Sequence, residues 1–132
     1  MYPKVKDSQL VGEYPALTKA GGGYVWDEVL EYRVWCHPED GGDDFYYAFK
    51  NAETALECSK AEDNAEEPLA LILQKEYISE NTPGVYLHMK EERITEWPLG
   101  FLQRPRRTEN TIPDFLSPNA PDNKLEIIRG QV

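Results

Sequence analysis

A dense set of chemically active side chains lies in the first half of this 132-residue sequence. Within eleven residues it supplies an imidazole, four carboxylates and two phenols, at His37, Glu39, Asp40, Asp43, Asp44, Tyr46 and Tyr47. These groups could perform general acid–base catalysis or hold a hard cation, but the spacing does not match a helix-loop-helix calcium site. The histidine and both tyrosines are therefore candidate catalytic residues, and Asp43 and Asp44 are candidate ligand-binding residues. The alternative is a solvated acidic hairpin loop.

A second cluster surrounds His88. The run Val85–Lys90 alternates between apolar and polar side chains, which predicts a strand with its three apolar residues inward and His88 outward or in a cleft. Glu92 and Glu96 follow closely enough to flank the same edge, where a carboxylate could orient a histidine base. The histidine and these two glutamates are further candidate catalytic residues, with an ordinary cross-strand ion pair as the alternative.

The cysteines do not indicate a metal site. Cys36 and Cys58 lie far apart without a CxxC motif, and the chain has only two histidines. Both cysteines are expected to be small buried hydrophobic residues, with a reactive Cys36 thiol next to His37 as the alternative. We predict no metal ligand.

These candidates must be positioned by strands and one helix. Aromatic and β-branched runs predict most of the strands, and Asn51 is a suitable N-cap for a helix. The predicted elements are strands at Glu31–Cys36, Phe45–Phe49, Leu69–Gln74, Val85–Lys90 and Ile94–Trp97, and a helix up to about Lys60. The fold class is therefore α+β, a mostly antiparallel sheet of four or five strands with one main helix and an extended C-terminal arm.

The glycine run Lys19–Tyr24 could expose backbone N–H groups to an anion. It has neither the Gly-Lys-Ser/Thr ending of a P-loop nor a GxGxxG motif. A flexible entry loop is the preferred interpretation.

The formal net charge is −10, and it is unevenly distributed. Residues 1–102 contain 9 basic and 20 acidic side chains, whereas residues 103–132 contain 5 and 4. This acidity argues against nucleic-acid binding. The longest apolar run, Pro68–Leu73, is too short for a bilayer span and no signal peptide is evident, so we expect a soluble, cytoplasmic protein.

The composition divides the chain at about Leu102. Residues 1–102 are predicted to form the α+β domain, and residues 103–132, with four prolines, a C-terminal arm. Apolar anchors such as Phe115 predict that the arm packs on its own body or on a partner subunit, which would make a homo-oligomer. The basic residues Arg104, Arg106 and Arg107 would pair with the acidic body.

Four segments resemble a family of small bacterial proteins that are often labelled GNAT-type N-acetyltransferases. They are Tyr2–Lys6, Trp26–Pro38, Glu91–Pro98 and Arg104–Thr108. The resemblance covers nearly the whole chain. It implies acetyl-CoA as the cofactor, and Lys19–Tyr24 is the segment nearest to the acetyl-CoA motif of such enzymes.

The order of elements is also similar to the layout of ADP-ribosyltransferases, which hold NAD with an early His or Arg, a middle Tyr and a late Glu. That similarity implies one residue from each of three pairs, Arg33 or His37, Tyr46 or Tyr47, and Glu92 or Glu96. Arg33 is then a ligand-binding candidate. The leading hypothesis is a domain that binds a small molecule or a protein, with His37, Tyr46, Tyr47 and His88 gathered at one edge of the sheet; the two transferases are the alternatives.

Overall fold

The computed structural model describes residues 2–16, 25–118 and 122–128, so the glycine run Lys19–Tyr24 lies outside the described residues. The strands are β1 Glu28–Cys36, β2 Phe45–Phe49, β3 Leu69–Gln74, β4 Tyr77–Thr82, β5 Val85–Met89 and β6 Arg93–Pro98. The helices are α1 Ala52–Ala61, α2 Thr111–Leu116 and α3 Lys124–Ile128, with short 3₁₀ helices at Ser8–Leu10 and Leu99–Gln103. No helix within the described ranges is long and apolar enough to cross a bilayer.

The strands form two antiparallel sheets, which confirms the α+β class. The main sheet has the order β2-β1-β3-β6, and β4 and β5 form a separate hairpin. The described strands number six rather than the four or five predicted, because β4 was missed. Its second half, Ser79–Thr82, is polar and has low strand propensity, so its conformation depends on pairing with β5.

Strand β1 separates the two faces of the main sheet as its alternation predicts. Tyr32 and Val34 are fully buried on the side of α1, in one core with Trp97. Arg33 and Trp35 lie on the opposite face, since neighbouring strand residues alternate. β1 begins at Glu28, earlier than predicted. A shift of register between Val29 and Glu31 adds one residue to β1, and this extra residue keeps Val29 in the core on the α1 side.

Helix α1 covers the core face of the main sheet. It begins at the predicted cap, where Asn51 Oδ1 accepts a hydrogen bond from Thr54 N at 2.8 Å. Glu53 in the first turn and Lys60 in the last complement the helix dipole. The small side chains of Ala52 and Ala55 are fully buried, and they allow the helix to approach β1 and β2 closely.

The β4–β5 hairpin differs from the sequence prediction in the direction of two side chains of β5. Val85 and Leu87, expected to point inward, are 49% and 45% exposed. Tyr86, on the other face, is covered, since its ring packs edge-to-face on Phe115 of α2 at 5.5 Å. Met89, the third residue predicted to point inward, is partly buried against the same cluster as Phe115. Alternation distinguishes two faces of a strand, but only the tertiary fold decides which of them the arm covers.

The arm contains two short helices instead of a wholly extended chain. Pro113 fits in the first turn of α2, where a helix leaves its N–H groups unpaired in any case. Ile112 and Phe115 are buried in a second core that also contains Val25 and Ile78. This core joins the arm, the hairpin and the segment that precedes β1.

Basic residues of the arm contact acidic residues of its own body. Arg107 lies 2.7 Å from Asp27 Oδ1 through Nη2 and 3.2 Å from Glu76 Oε2 through Nη1. The Arg106 guanidinium lies 5.0 Å from the centre of a Trp26 ring, and Trp26 Nε1 donates a hydrogen bond to the Arg104 carbonyl at 3.0 Å. Charge pairs and ring contacts therefore add to the apolar anchors of the arm.

Candidate functional site

Three sequence candidates, Arg33, Tyr46 and Glu96, meet on the face of the main sheet opposite α1. Arg33 Nη1 donates a hydrogen bond to Glu96 Oε2 at 3.2 Å, and its guanidinium carbon lies 4.4 Å from the centre of the Tyr46 ring. Trp35 Nε1 donates to the same Glu96 oxygen at 2.8 Å. Strands β1, β2 and β6 supply these side chains, so the sheet fixes their geometry.

Arg33 is completely buried, and most of its donors are engaged. Its Nε donates to Glu31 Oε2 at 2.6 Å, while Nη2 and Nη1 donate to the carbonyls of Pro15 and Ala16 at 2.6 Å and 3.3 Å. Glu31 also accepts from Gly12 N at 2.9 Å. This buried cluster therefore fixes residues 12–16 over the sheet, and a ligand could reach Arg33 only by displacing them.

A second group forms at the exposed end of β1. His37 Nδ1 lies 2.8 Å from Asp44 Oδ1, and His37 Nε2 lies 3.4 Å from Glu66 Oε1. Hydrogen bonds to Asp44 and Glu66 raise the pKa of His37 above its usual value. All three side chains are about half exposed, so water competes with the pairing and the group forms no enclosed site.

The remaining sequence candidates lie apart. His88 belongs to the β4–β5 hairpin, where its Nε2 is 3.5 Å from Glu76 Oε1, and not to the sheet that contains Tyr46. Tyr47, Asp43 and Glu92 are exposed. The structure therefore does not bring His88 to the sheet edge where β2 lies.

The cysteines and acidic residues provide no metal site within the described ranges, where no group of three potential ligands is found. Cys36 is buried and Cys58 half-buried. Burial raises the pKa of both thiols, which favours the unreactive protonated form.

A feature that the sequence did not reveal is the open edge of β2. This strand lies at one end of the main sheet, and among the described residues its only strand partner is β1. Its sequence, Phe-Tyr-Tyr-Ala-Phe, has neither a charge nor a proline. Phe45 and Tyr47 are 44% and 41% exposed and pack against each other edge-to-face at 5.6 Å.

The opposite edge of the main sheet is protected. β6 includes Arg93, Glu96 and Pro98, and such charges and prolines discourage further strand pairing. β2 contains neither a charge nor a proline, and its outer side has no strand partner in the part of the chain that the structure describes. The N–H and C=O groups on that side can therefore pair with another strand.

Opposite charges border the β2 edge. The acidic loop, which we define as Glu39–Asp44, enters the strand with four carboxylates. Lys50 follows it and, together with Lys4, Lys6 and one carboxylate, Asp7, lines a groove of about 470 Å³. Within the described ranges, none of these three lysines has a carboxylate partner, in a chain whose net charge is −10. We call them the lysine cluster.

No protein-family model, curated protein or solved structure was found to match the chain.

Proposed function

We propose that this protein is an interaction domain that binds a partner polypeptide by adding a strand to the open edge of β2. The observation that supports it most is that β2, an edge strand with a single strand partner among the described residues, also has exposed aromatic side chains at Phe45 and Tyr47. In strand addition, main-chain hydrogen bonds supply affinity and alternate side chains supply specificity.

The architecture favours β2 over the second exposed apolar surface, at Val85 and Leu87. β5 belongs to a separate two-stranded hairpin, which is held in place by its contact with the arm and not by a larger sheet. β2 is the outer strand of a four-stranded sheet backed by α1, so its edge is held in a conformation ready to bind. A preformed edge lowers the ordering cost of association.

A synthetic peptide of residues 43–51 is a suitable probe for strand addition, because it reproduces both the aromatic pattern and the flanking charges of β2. We expect a fluorescently labelled form of this peptide to bind the full chain with micromolar to millimolar affinity, as measured by anisotropy. A scrambled peptide of the same composition is the control. Binding of both peptides with equal affinity, or of neither at millimolar protein, would overturn the proposal.

The NAD-binding alternative has one observation in its favour, namely that Arg33, Tyr46 and Glu96 supply one residue from each expected pair and form one cluster. Arg33, however, has no exposed surface and is already bonded to two backbone carbonyls. The lysine cluster could contact the phosphates of NAD or acetyl-CoA, but its three side chains are exposed and would hold them at the surface.

Thermal shift with NAD and acetyl-CoA separates the two transferase alternatives from the interaction domain. A ligand at about a hundredfold its Kd would stabilise the fold by ~2.7 kcal/mol. We expect no shift of the melting temperature with either ligand at millimolar concentration. A saturable shift with NAD that is lost when Glu96 is replaced by Gln, or a saturable shift with acetyl-CoA, would support the corresponding enzyme instead.

A further inference from the structure

The charges at the two ends of β2 indicate which strand would fit its open edge. An acidic loop lies at the start of β2 and the lysine cluster at its end, so the edge has opposite charge at its two ends. Antiparallel pairing places the start of one strand beside the end of the other. We propose that β2 pairs antiparallel with β2 of a second copy of this chain, around a two-fold axis. This inference rests on the proposed function and names its partner.

The register follows from the positions of the charges. A two-fold axis at Tyr47 places Phe45 opposite Phe49 of the second copy. It also places Asp44, the residue before the strand, opposite Lys50, the residue after it, and symmetry makes this contact twice. Aromatic pairs and opposite charges directly across a strand pair are both favourable.

The contacting charges are not fully paired in the monomer. Asp44 uses Oδ1 to bind His37, which leaves Oδ2 without a partner among the described residues. Lys50 has no carboxylate partner in those ranges either. Pairing between copies would therefore satisfy charges that the monomer leaves in water.

A groove lies at the end of β2, next to the place that the partner strand takes in the proposed register. A groove of about 370 Å³ borders the end of β2, lined by Ala48, Phe49 and Lys50 together with Ser8 and Val11. In the proposed register, the acidic start of the partner strand faces this groove. The two-fold pairing thus directs the acidic loop of each copy towards the lysine cluster of the other.

The pairing joins two four-stranded sheets into one sheet of eight strands, with the two α1 helices on the same face. A contact between two five-residue strands is small compared with the interfaces of about 1,600 Å² found in stable complexes. We therefore expect a weak dimer that is populated at high protein concentration and dissociates as salt screens the exposed charges.

Sedimentation equilibrium of the full chain tests the pairing, with charge-reversed variants to test the register. We expect a monomer–dimer equilibrium at low salt. Asp44→Lys and Lys50→Asp should each weaken it about tenfold, which corresponds to 1.4 kcal/mol. An equimolar mixture of the two variants should restore the wild-type affinity, because both contacts of the mixed dimer again join opposite charges.

Matched controls separate the register from a change of net charge. Glu66→Lys removes the other carboxylate partner of His37 and changes the net charge as Asp44→Lys does, yet Glu66 lies outside the edge. Lys60→Asp, in the last turn of α1, is the control for Lys50→Asp, because it makes the same change of net charge away from the edge of β2. Both control variants should dimerise as the wild type does.

The outcomes distinguish this inference from the proposed function. If the chain stays monomeric at low salt while the peptide of residues 43–51 binds, β2 accepts a strand but a second copy is not its partner, and this inference is overturned. If the chain dimerises but the charge reversals have no effect, or the mixture does not recover, the proposed register is overturned. Failure of both peptide binding and dimerisation would overturn both proposals.

Discussion

Replacement of Glu31 by alanine is expected to lower the free energy of unfolding by about 3–5 kcal/mol, the range measured when one partner of a buried ion pair is removed. Glu31 and Arg33 are both fully buried and lie 2.6 Å apart. Without the carboxylate, the guanidinium remains in the interior with only part of its charge compensated. Urea denaturation would report the change as a lower midpoint.

The double variant Glu31→Leu/Arg33→Met is the informative control for this prediction. It removes both charges and keeps apolar volume, so it should recover much of the stability lost in the single variant. It would still leave the Pro15 and Ala16 carbonyls without the guanidinium, so recovery should be incomplete. If the single variant lost less than about 1 kcal/mol, Arg33 would not depend on its buried partner, and the structural role of the cluster would be wrong.

Replacement of Phe115 by alanine should cost about 3–5 kcal/mol, because it opens a cavity in the second core. Phe115 has no exposed surface, and its core contains residues from the hairpin, the segment before β1 and both arm helices. Local loss of this packing should release the arm and hairpin before the main sheet unfolds, which hydrogen exchange would detect as faster exchange in both.

Leu116 is the matched control for Phe115. It is the next residue of α2 but is 39% exposed, so Leu116→Ala should change stability by less than about 1 kcal/mol. Equal losses from the two variants would mean that the arm is not anchored through the buried side of α2.

Local patterns in the sequence predict much of the main sheet. The two faces of β1, the buried run of β3 and the Asn51 cap of α1 each depend on residues close together in the chain, and all three are confirmed. Val85 and Leu87 of β5 were wrongly predicted to point inward, because α2, which covers Tyr86 on the other face, comes from the distant arm.

In the candidate site too, the sequence predicts individual residues, whereas the tertiary fold decides which of them meet. Sequence reasoning selected Arg33, Tyr46 and Glu96 individually, but Arg33 and Glu96 are 63 residues apart and only the strand order brings them together. It also missed Glu31, the partner that makes Arg33 a buried structural residue. The pattern of Phe45–Phe49 predicts a strand, yet whether a strand is central or at an edge is decided by the topology of the whole sheet.

If the edge of β2 is the docking surface, a charged residue on that edge should weaken peptide binding, whereas the same residue on β5 should not. The affinity of the peptide of residues 43–51 should be measured for the wild type, for Tyr47→Lys and for Leu87→Lys. Tyr47 and Leu87 have similar exposure, 41% and 45%, but only Tyr47 lies on β2. A lysine at an edge strand blocks further pairing. We predict that Tyr47→Lys loses peptide binding about tenfold or more while Leu87→Lys binds as the wild type does. Unchanged binding by Tyr47→Lys, or an equal loss of affinity in both variants, would mean that the edge of β2 is not the docking surface.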